Sequence, residues 1–280
     1  MSDETYQYPD IFALETGNQW TYFKNINGVV SKITENVYRD SFNFDVETFK
    51  ITQTSSIEEP TSINWYQRSN DSMILKGFET TGQLIDLFYK FTNNTGLAEV
   101  WNPFVIDETR TSQATGTNEI IEFQMSLDVS VISRETITIP LGTFQAFKLK
   151  CNKTLDVISM STTESEEYTI WVVPYLPVLK FYYPKEGYQI ELSSFKIKGG
   201  TIDNESDTDN DTLKDYEELI LFQTNPSKCD TDNDGINDNI EIENGTDPLT
   251  KNSEISGDVT NDGLIDLKDV IKILKSLVNH

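Results

Sequence analysis

Acidic residues recur at odd-numbered offsets three times in the last third of this 280-residue chain. Asp207-Thr-Asp209-Asn-Asp211, Asp230-Thr-Asp232-Asn-Asp234-Gly235 and Asp258-Val-Thr260-Asn-Asp262-Gly263 each open a twelve-residue window. Calcium takes about six to eight oxygen ligands at roughly 2.3–2.6 Å, and a loop can offer them from positions 1, 3, 5, 7, 9 and 12. On that spacing the first window supplies Asp207, Asp209, Asp211, the carbonyl of Leu213, Asp215 and Glu218. The second supplies Asp230, Asp232, Asp234, the carbonyl of Ile236, Asp238 and Glu241. The third supplies Asp258, Thr260, Asp262, the carbonyl of Leu264, Asp266 and Asp269. Alternation lets successive side chains converge on one point while the backbone wraps around it. A solvated acidic tail would not repeat a ligand pattern in this way, so the spacing predicts bound Ca2+, two or three ions.

The elements that must position these ligands differ between windows. The first two form an internal repeat, 207–226 and 230–248, offset by 23 residues. Each carries the acidic loop, a short helical turn with the position-12 glutamate, and a Thr-Asn-Pro or Thr-Asp-Pro stop. They closely resemble bacterial thrombospondin type 3 repeats, which implies a calcium-held rod or spacer with little apolar core. Thr212 occupies position 6 of the first loop, where a positive-φ turn favours glycine, so that site is expected to be strained and weaker. The third window feeds Val270, Ile273, Leu274 and Leu277 at helical spacing, an amphipathic helix. This stretch resembles one half of a dockerin repeat, with Thr260 in place of the usual Asn or Asp and no second half following. A lone half cannot bury its own helix face. The helix over 257–280 must pack on the preceding loops, on the rest of the chain, or on a protein partner.

Charge follows the same division. Residues 1–200 hold 26 acidic and 16 basic residues, net −10, whereas residues 201–280 hold 20 and 6, net −14. Three divalent cations would take the second figure to about −8. No basic stripe exists, so nucleic acid is not expected as a partner. The one histidine, His280, ends the chain, which removes Ser-His-Asp and Cys-His nucleophilic systems and histidine-ligated zinc. Cys151 and Cys229 could pair or stay as thiols; both readings stand at this point. No apolar run reaches the roughly 20 residues a transmembrane helix needs. Met1-Ser-Asp-Glu-Thr shows no secretory signal, yet calcium loops of modest affinity need extracellular calcium. The expectation is a secreted or cell-surface protein whose signal is not in this sequence.

Before residue 199 the chain reads as strands. Short runs with apolar alternation recur from Trp20 to Ile197, separated by turns such as Asn27-Gly28, Pro140-Leu-Gly142 and Lys185-Glu-Gly187. No crossover helices lie between them, so the connections are antiparallel. The prediction is a mainly β fold, a curved antiparallel sheet, half-barrel or sandwich, with a small C-terminal calcium-loop and helix module. Residues 102–116 are polar and aperiodic and are read as a long exposed loop. Glu58-Glu59, Glu119, Glu122 and Glu164–Glu167 are read as solvated faces, and Trp20, Phe144 and Trp171 as core aromatics.

Gly17-Asn-Gln-Trp20-Thr-Tyr22, the hairpin from Ile137 to Lys148, and Trp171 with Val178-Leu-Lys180 resemble a group of bacterial secreted or lipoprotein β domains. That resemblance implies an open β-barrel of the lipoprotein-carrier type over 12–197. Gly199-Gly200 marks the boundary, giving a β domain over 12–198, a linker over 199–206, calcium repeats over 207–249 and the dockerin-like half over 257–280. The functional expectation is binding, adhesion or scaffolding with structural calcium. An apolar-ligand or lipoprotein carrier is the first alternative, and a glycan-active enzyme with a C-terminal anchor the second.

Overall fold

The computed structural model describes residues 14, 16–40, 44, 46–56, 62–69, 72–81, 86–92, 96–101, 104–118, 120–173, 176–197, 202–251, 259–260 and 266–278. The chain divides into two compact units, Met1–Thr201 and Ile202–His280.

The first unit is a closed antiparallel barrel. Its strands are β1 (Gln19–Ile26), β2 (Val29–Arg39), β3 (Phe49–Ser55), β4 (Ser62–Arg68), β5 (Ser72–Thr81), β6 (Asp86–Phe91), β7 (Leu97–Trp101), β8 (Thr109–Thr117), β9 (Glu122–Ile139), β10 (Gly142–Val157), β11 (Thr162–Val172), β12 (Lys180–Tyr183) and β13 (Tyr188–Ile197). Neighbours in sequence pair around the ring, except that β6 pairs β8 and β7 lies alongside β5. The ring closes where β1 pairs β13, from Gln19 against Lys196 to Asn25 against Gln189. The mainly β reading holds, and closure goes beyond the open half-barrel or sandwich expected. Both edges of β1 are satisfied, because β2 pairs along its other side. The β1–β2 hairpin turns on Asn27 (φ 51°) and Gly28 (φ 86°), the two positive-φ positions that a two-residue hairpin demands.

One segment departs from the sequence reading. Residues 109–117, expected in a loop, form β8, paired along its length with β9 from Thr109 against Ser130 to Thr117 against Glu122. Four of its nine residues are threonine, which suits an extended, half-exposed backbone despite the lack of apolar alternation. Glu122–Ile139 forms one unbroken 18-residue strand, β9, whose inward side chains include Phe123, Met125, Leu127 and Val129.

Alternation along the longest strands is reset by bulges. In β10 the buried positions are Phe144 and Ala146, then Leu149 and Cys151. The switch from even to odd numbers falls where the β9 register slips, between Lys148 and Leu149. Three more slips leave Lys76, Glu99 and Ser193 as the extra residue of their strands. A bulge kinks a strand and re-aims its side chains. Lys76 is accordingly buried in the wall rather than exposed.

The seam between β6 and β8 is the narrowest in the ring: Lys90 faces Thr117 and Phe91 faces Gly116. Aromatic rings back it, with Phe91 and Tyr89 at 5.5 and 5.8 Å from Phe123 in edge-on contact. Gly116 is required there, because a Cβ would sit 2.7 Å from the Lys90 carbonyl oxygen and against the Phe123 ring. Gly116→Ala should therefore lower barrel stability by about 1–3 kcal/mol through overpacking. Urea unfolding followed by tryptophan fluorescence checks this, and an unchanged midpoint would contradict it.

Candidate metal centre and barrel cavity

In the second unit the two repeats fold alike, residue for residue. Position 1 holds the loop closed: Asp207 accepts from the N–H groups of Asn210 (2.9 Å) and Thr212 (3.3 Å), as Asp230 does from Asn233 (2.8 Å) and Gly235 (2.9 Å). Position 5 accepts from position 7, Leu213 N–H to Asp211 at 2.8 Å and Ile236 N–H to Asp234 at 2.9 Å. Position 9 clamps position 2, with both oxygens of Asp215 taken by Thr208 and both of Asp238 by Thr231. The glutamate at position 12 rides on α1 (Asp215–Glu217), continued as a π-turn over Glu218–Phe222, or on α2 (Asp238–Asn244). It is pinned by the threonine of the Thr-Asn/Asp-Pro stop: Thr224 Oγ1 donates to Glu218 at 3.3 Å and Thr246 Oγ1 to Glu241 at 3.5 Å. Glu218 and Glu241 are fully buried.

Three carboxylate trios result among the described residues, each with one oxygen per residue within 4.8 Å of the others: Asp207, Asp209 and Asp211; Asp230, Asp232 and Asp234; and Asp211, Glu218 and Asp238. Oxygens on opposite sides of one calcium stand about 4.6–5.2 Å apart, so each trio fits a divalent cation. The third trio crosses the repeats. Asp238, assigned by spacing to the second loop, stands with the position-5 and position-12 carboxylates of the first. The spacing rule missed this, since it treats each window as self-contained. The repeats are further joined by Cys229 Sγ to the Asp209 carbonyl at 3.3 Å and Asn239 to Thr212 at 3.2 Å. Both cysteines are free thiols.

The chemistry of these oxygens suits a metal. Asp209 Oδ2, Asp211 Oδ2, Glu218 Oε2 and Asp232 Oδ2 are buried and accept no hydrogen bond among the described residues. An unsatisfied buried acceptor costs about 1–3 kcal/mol, and more when charged, a debt a bound cation cancels. Desolvation first, and then Asp209 and Asp211, push the Glu218 carboxyl up to about 8. Burial also raises Asp209, Asp211 and Asp232.

Backbone strain separates the loops. Thr212 has φ 86° and Gly235 φ 98°, so position 6 of both loops is left-handed, and a β-branched residue bears it in the first. The third loop is built differently. Of its expected ligands, Asp258, Asp262 and Leu264 lie outside the described residues. Asp269, almost fully buried, uses its oxygens on Thr260 N–H and Oγ1 (both 2.9 Å) and on Asp266 N–H (2.8 Å). Asp266 in turn accepts from Lys268 N–H at 2.6 Å. The bonds of the Asp266 and Lys268 N–H groups have the pattern of a helix cap at the start of α3 (Leu267–Val278). The sides of α3 that carry Val270, Ile273 and Leu274 are exposed, and the Leu277 side chain lies outside the described residues. No helix of the described residues is long and apolar enough to cross a membrane.

The barrel has a second candidate site, a cavity of about 290 Å³ in its interior. Its wall is largely apolar, including Leu14, Ile33, Phe104, Ile170 and Phe181. Trp20 is buried as expected and also lines this cavity. A row of direct cross-strand neighbours, Trp20 on β1, Glu35 on β2 and Gln53 on β3, places a carboxylate there. Trp20 Nε1 donates to Glu35 Oε2, and Gln53 Nε2 to Glu35 Oε1 at 3.1 Å. Across the cavity Glu99, the bulged residue of β7, accepts from Tyr66 at 3.0 Å. Burial raises both carboxyls. Lys153 and Glu166 complete the charged lining; Glu166 is exposed, as expected, and also borders the cavity. Glu58, Glu59 and Glu119 lie outside the described residues. Glu35 and Glu99 are not among the residues expected from the sequence; their alternation with Ile33 and Leu97, both buried, is the signal that could have found them.

Asp238→Asn tests the cross-repeat trio. In a chain whose second loop is disabled by Asp232→Asn, adding Asp238→Asn should weaken the remaining calcium binding by about tenfold, as loss of a ligand charge does. Calorimetric titration reads this, and unchanged affinity would confine Asp238 to its own loop. A second expectation concerns pH. The folded, metal-free Glu218 carboxyl holds its proton up to about 8, whereas an unfolded glutamate releases it near 4.5. The folded form therefore binds the extra proton between those values, and metal-free stability must fall as pH rises from 5 to 8. Melting of the second unit in chelator should show that decline, and calcium should remove it; a rise with pH in chelator would refute it.

The bacterial TSP3 repeat matches residues 207–228 and 230–251. No curated protein matches the chain. Among solved structures, a protein of Parabacteroides distasonis assigned as a lipoprotein superposes with a TM-score of 0.41 at 15% identity, covering 67% of this chain and 99% of its own. A protein of Bacteroides fragilis assigned as exported, with a YmcC-like fold, gives 0.40 at 13% identity over 68% and 100%. YmcC of Escherichia coli, assigned as a lipoprotein, gives 0.36 at 14% identity over 67% and 89%.

Proposed function

We propose that this protein is a binding protein whose barrel takes a small, largely apolar ligand, and whose C-terminal repeats are a structural module held by calcium. The observation that carries the first half is the interior cavity. The twelve-stranded ring holds an open-mouthed cavity of about 290 Å³ with a mixed lining, more apolar than polar, the composition of a small-molecule site at the small end of the usual range. That volume favours a compact ligand over the acyl chains of a lipoprotein. It also favours the carrier reading over adhesion, which calls for a flat or loop-built surface. The second half is supported by the three carboxylate trios and their unsatisfied buried oxygens. Modest-affinity calcium sites fill at the millimolar calcium found outside cells, so the protein acts at the cell surface or beyond. Calcium here neutralises charge and orders the backbone; no step of chemistry runs through it.

The cavity is tested with a neutral probe. Toluene should bind the calcium-loaded chain and quench or shift the emission of Trp20. Ile33→Trp, which fills the space from β2, should abolish binding while leaving calcium affinity unchanged. Should that variant fail to fold, Val172→Phe serves in its place. Failure of the parent chain to take up toluene would remove the ligand-binding reading.

A further inference from the structure

The polar groups of the cavity identify the kind of ligand it takes. Resting on the binding reading above, we propose that the barrel selects a small amphiphile with a cationic amine head, received by Glu35 and Glu99, and an apolar body against the aromatic wall.

Three observations converge on this. The first is the direction of the hydrogen bonds. Indole N–H is a donor only, so Trp20 fixes Glu35 as an acceptor, and Gln53 donates to its other oxygen. Tyr66 likewise donates to Oε2 of Glu99, and no described residue donates to Oε1. The wall thus presents spare acceptor capacity, and a group that joins it must bring N–H or O–H donors. The second is charge. Three carboxyls line the cavity, Glu35, Glu99 and Glu166, against one ammonium, Lys153. Lys153 stands against Glu166 and acts on Glu99, which leaves the lining one ammonium to three carboxyls, so an anionic head would add to the excess negative charge and a cation would offset it. The third is the aromatic lining. Trp20, Tyr22, Tyr66, Phe104, Tyr168 and Phe181 bring ring faces and edges around the same space, and ring faces attract a desolvated cation.

Glu99 sits at a bulge. Met73 pairs with Val100 and Ile74 with Ala98, so Glu99 has no partner in the ladder. It lies two residues from buried Leu97 and shares the cavity with Tyr66. Two isolated acids, 64 positions apart in sequence, face one small space.

The test compares three probes of one length on the calcium-loaded chain: hexylamine, hexan-1-ol and hexanoate, titrated by calorimetry at pH 7.5. Hexylamine should bind about tenfold or more tightly than hexanol, and hexanoate more weakly than either, since about 1.4 kcal/mol corresponds to each tenfold. Glu99→Gln should erase the preference for the amine while leaving hexanol binding in place, which shows that the cavity survives the change. Glu35→Gln should do the same in part. Hexanol or hexanoate binding as tightly as the amine would overturn the head-group assignment and leave the apolar reading standing. No uptake of any of the three would overturn both. An amine preference that persists in the Glu35→Gln, Glu99→Gln double variant would also overturn the assignment.

Discussion

The pairing of β1 with β13 is the constraint on which the rest of the barrel depends. Residues some 170 positions apart are brought side by side, as the bond from Ser193 Oγ to the Thr21 carbonyl marks (3.0 Å, 172 positions). Closing a loop of that length costs about 4–5 kcal/mol in chain entropy beyond a fixed term. In return both outer strands lose their exposed edges, and inward side chains from Trp20 to Ile190 come to line one space. A half-barrel with the same strands would put Glu35 and Tyr22 at an open rim. Their burial, and the shifts it causes, follow from closure rather than from any one contact.

Within that ring, bulges decide which residues face in. A strand read strictly by alternation sends every second residue to the core. Lys76 breaks that pattern as a bulged residue, and the slip beside Leu149 transfers the inner face of β10 from Ala146 to Cys151 and onward to Lys153. Glu35, by contrast, faces in by regular alternation between buried Ile33 and Val37.

The sequence was legible where chemistry is local. The acidic windows, the Asn27-Gly28 hairpin and the left-handed strain at Thr212 each concern residues within a dozen positions of one another, and the repeat is offset by only 23, so spacing alone exposes them. The β class was legible too, from turns and alternation. Closure was not, because it depends on partners far along the chain. Thr109–Thr117 is missed although it pairs with the next strand, β9, and at one end with β6, because it has no apolar alternation to announce it. Asp238 illustrates the same limit inside the repeats. Its position in the window predicts a ligand to its own loop, and its place beside Asp211 and Glu218 comes from how one repeat folds onto the next.

That last arrangement bears on how the module is made. Asp211 stands in two trios at once, one within its loop and one completed only by Asp238. A chain emerging amino terminus first exposes Asp211 and Glu218 some 20 residues before Asp238 exists to join them. The first repeat is then an unfinished vessel until its successor arrives, and the array matures from its trailing end. Each unit added to such a tandem finishes the one before it, which gives the row a direction of assembly that its near-identical loops do not reveal.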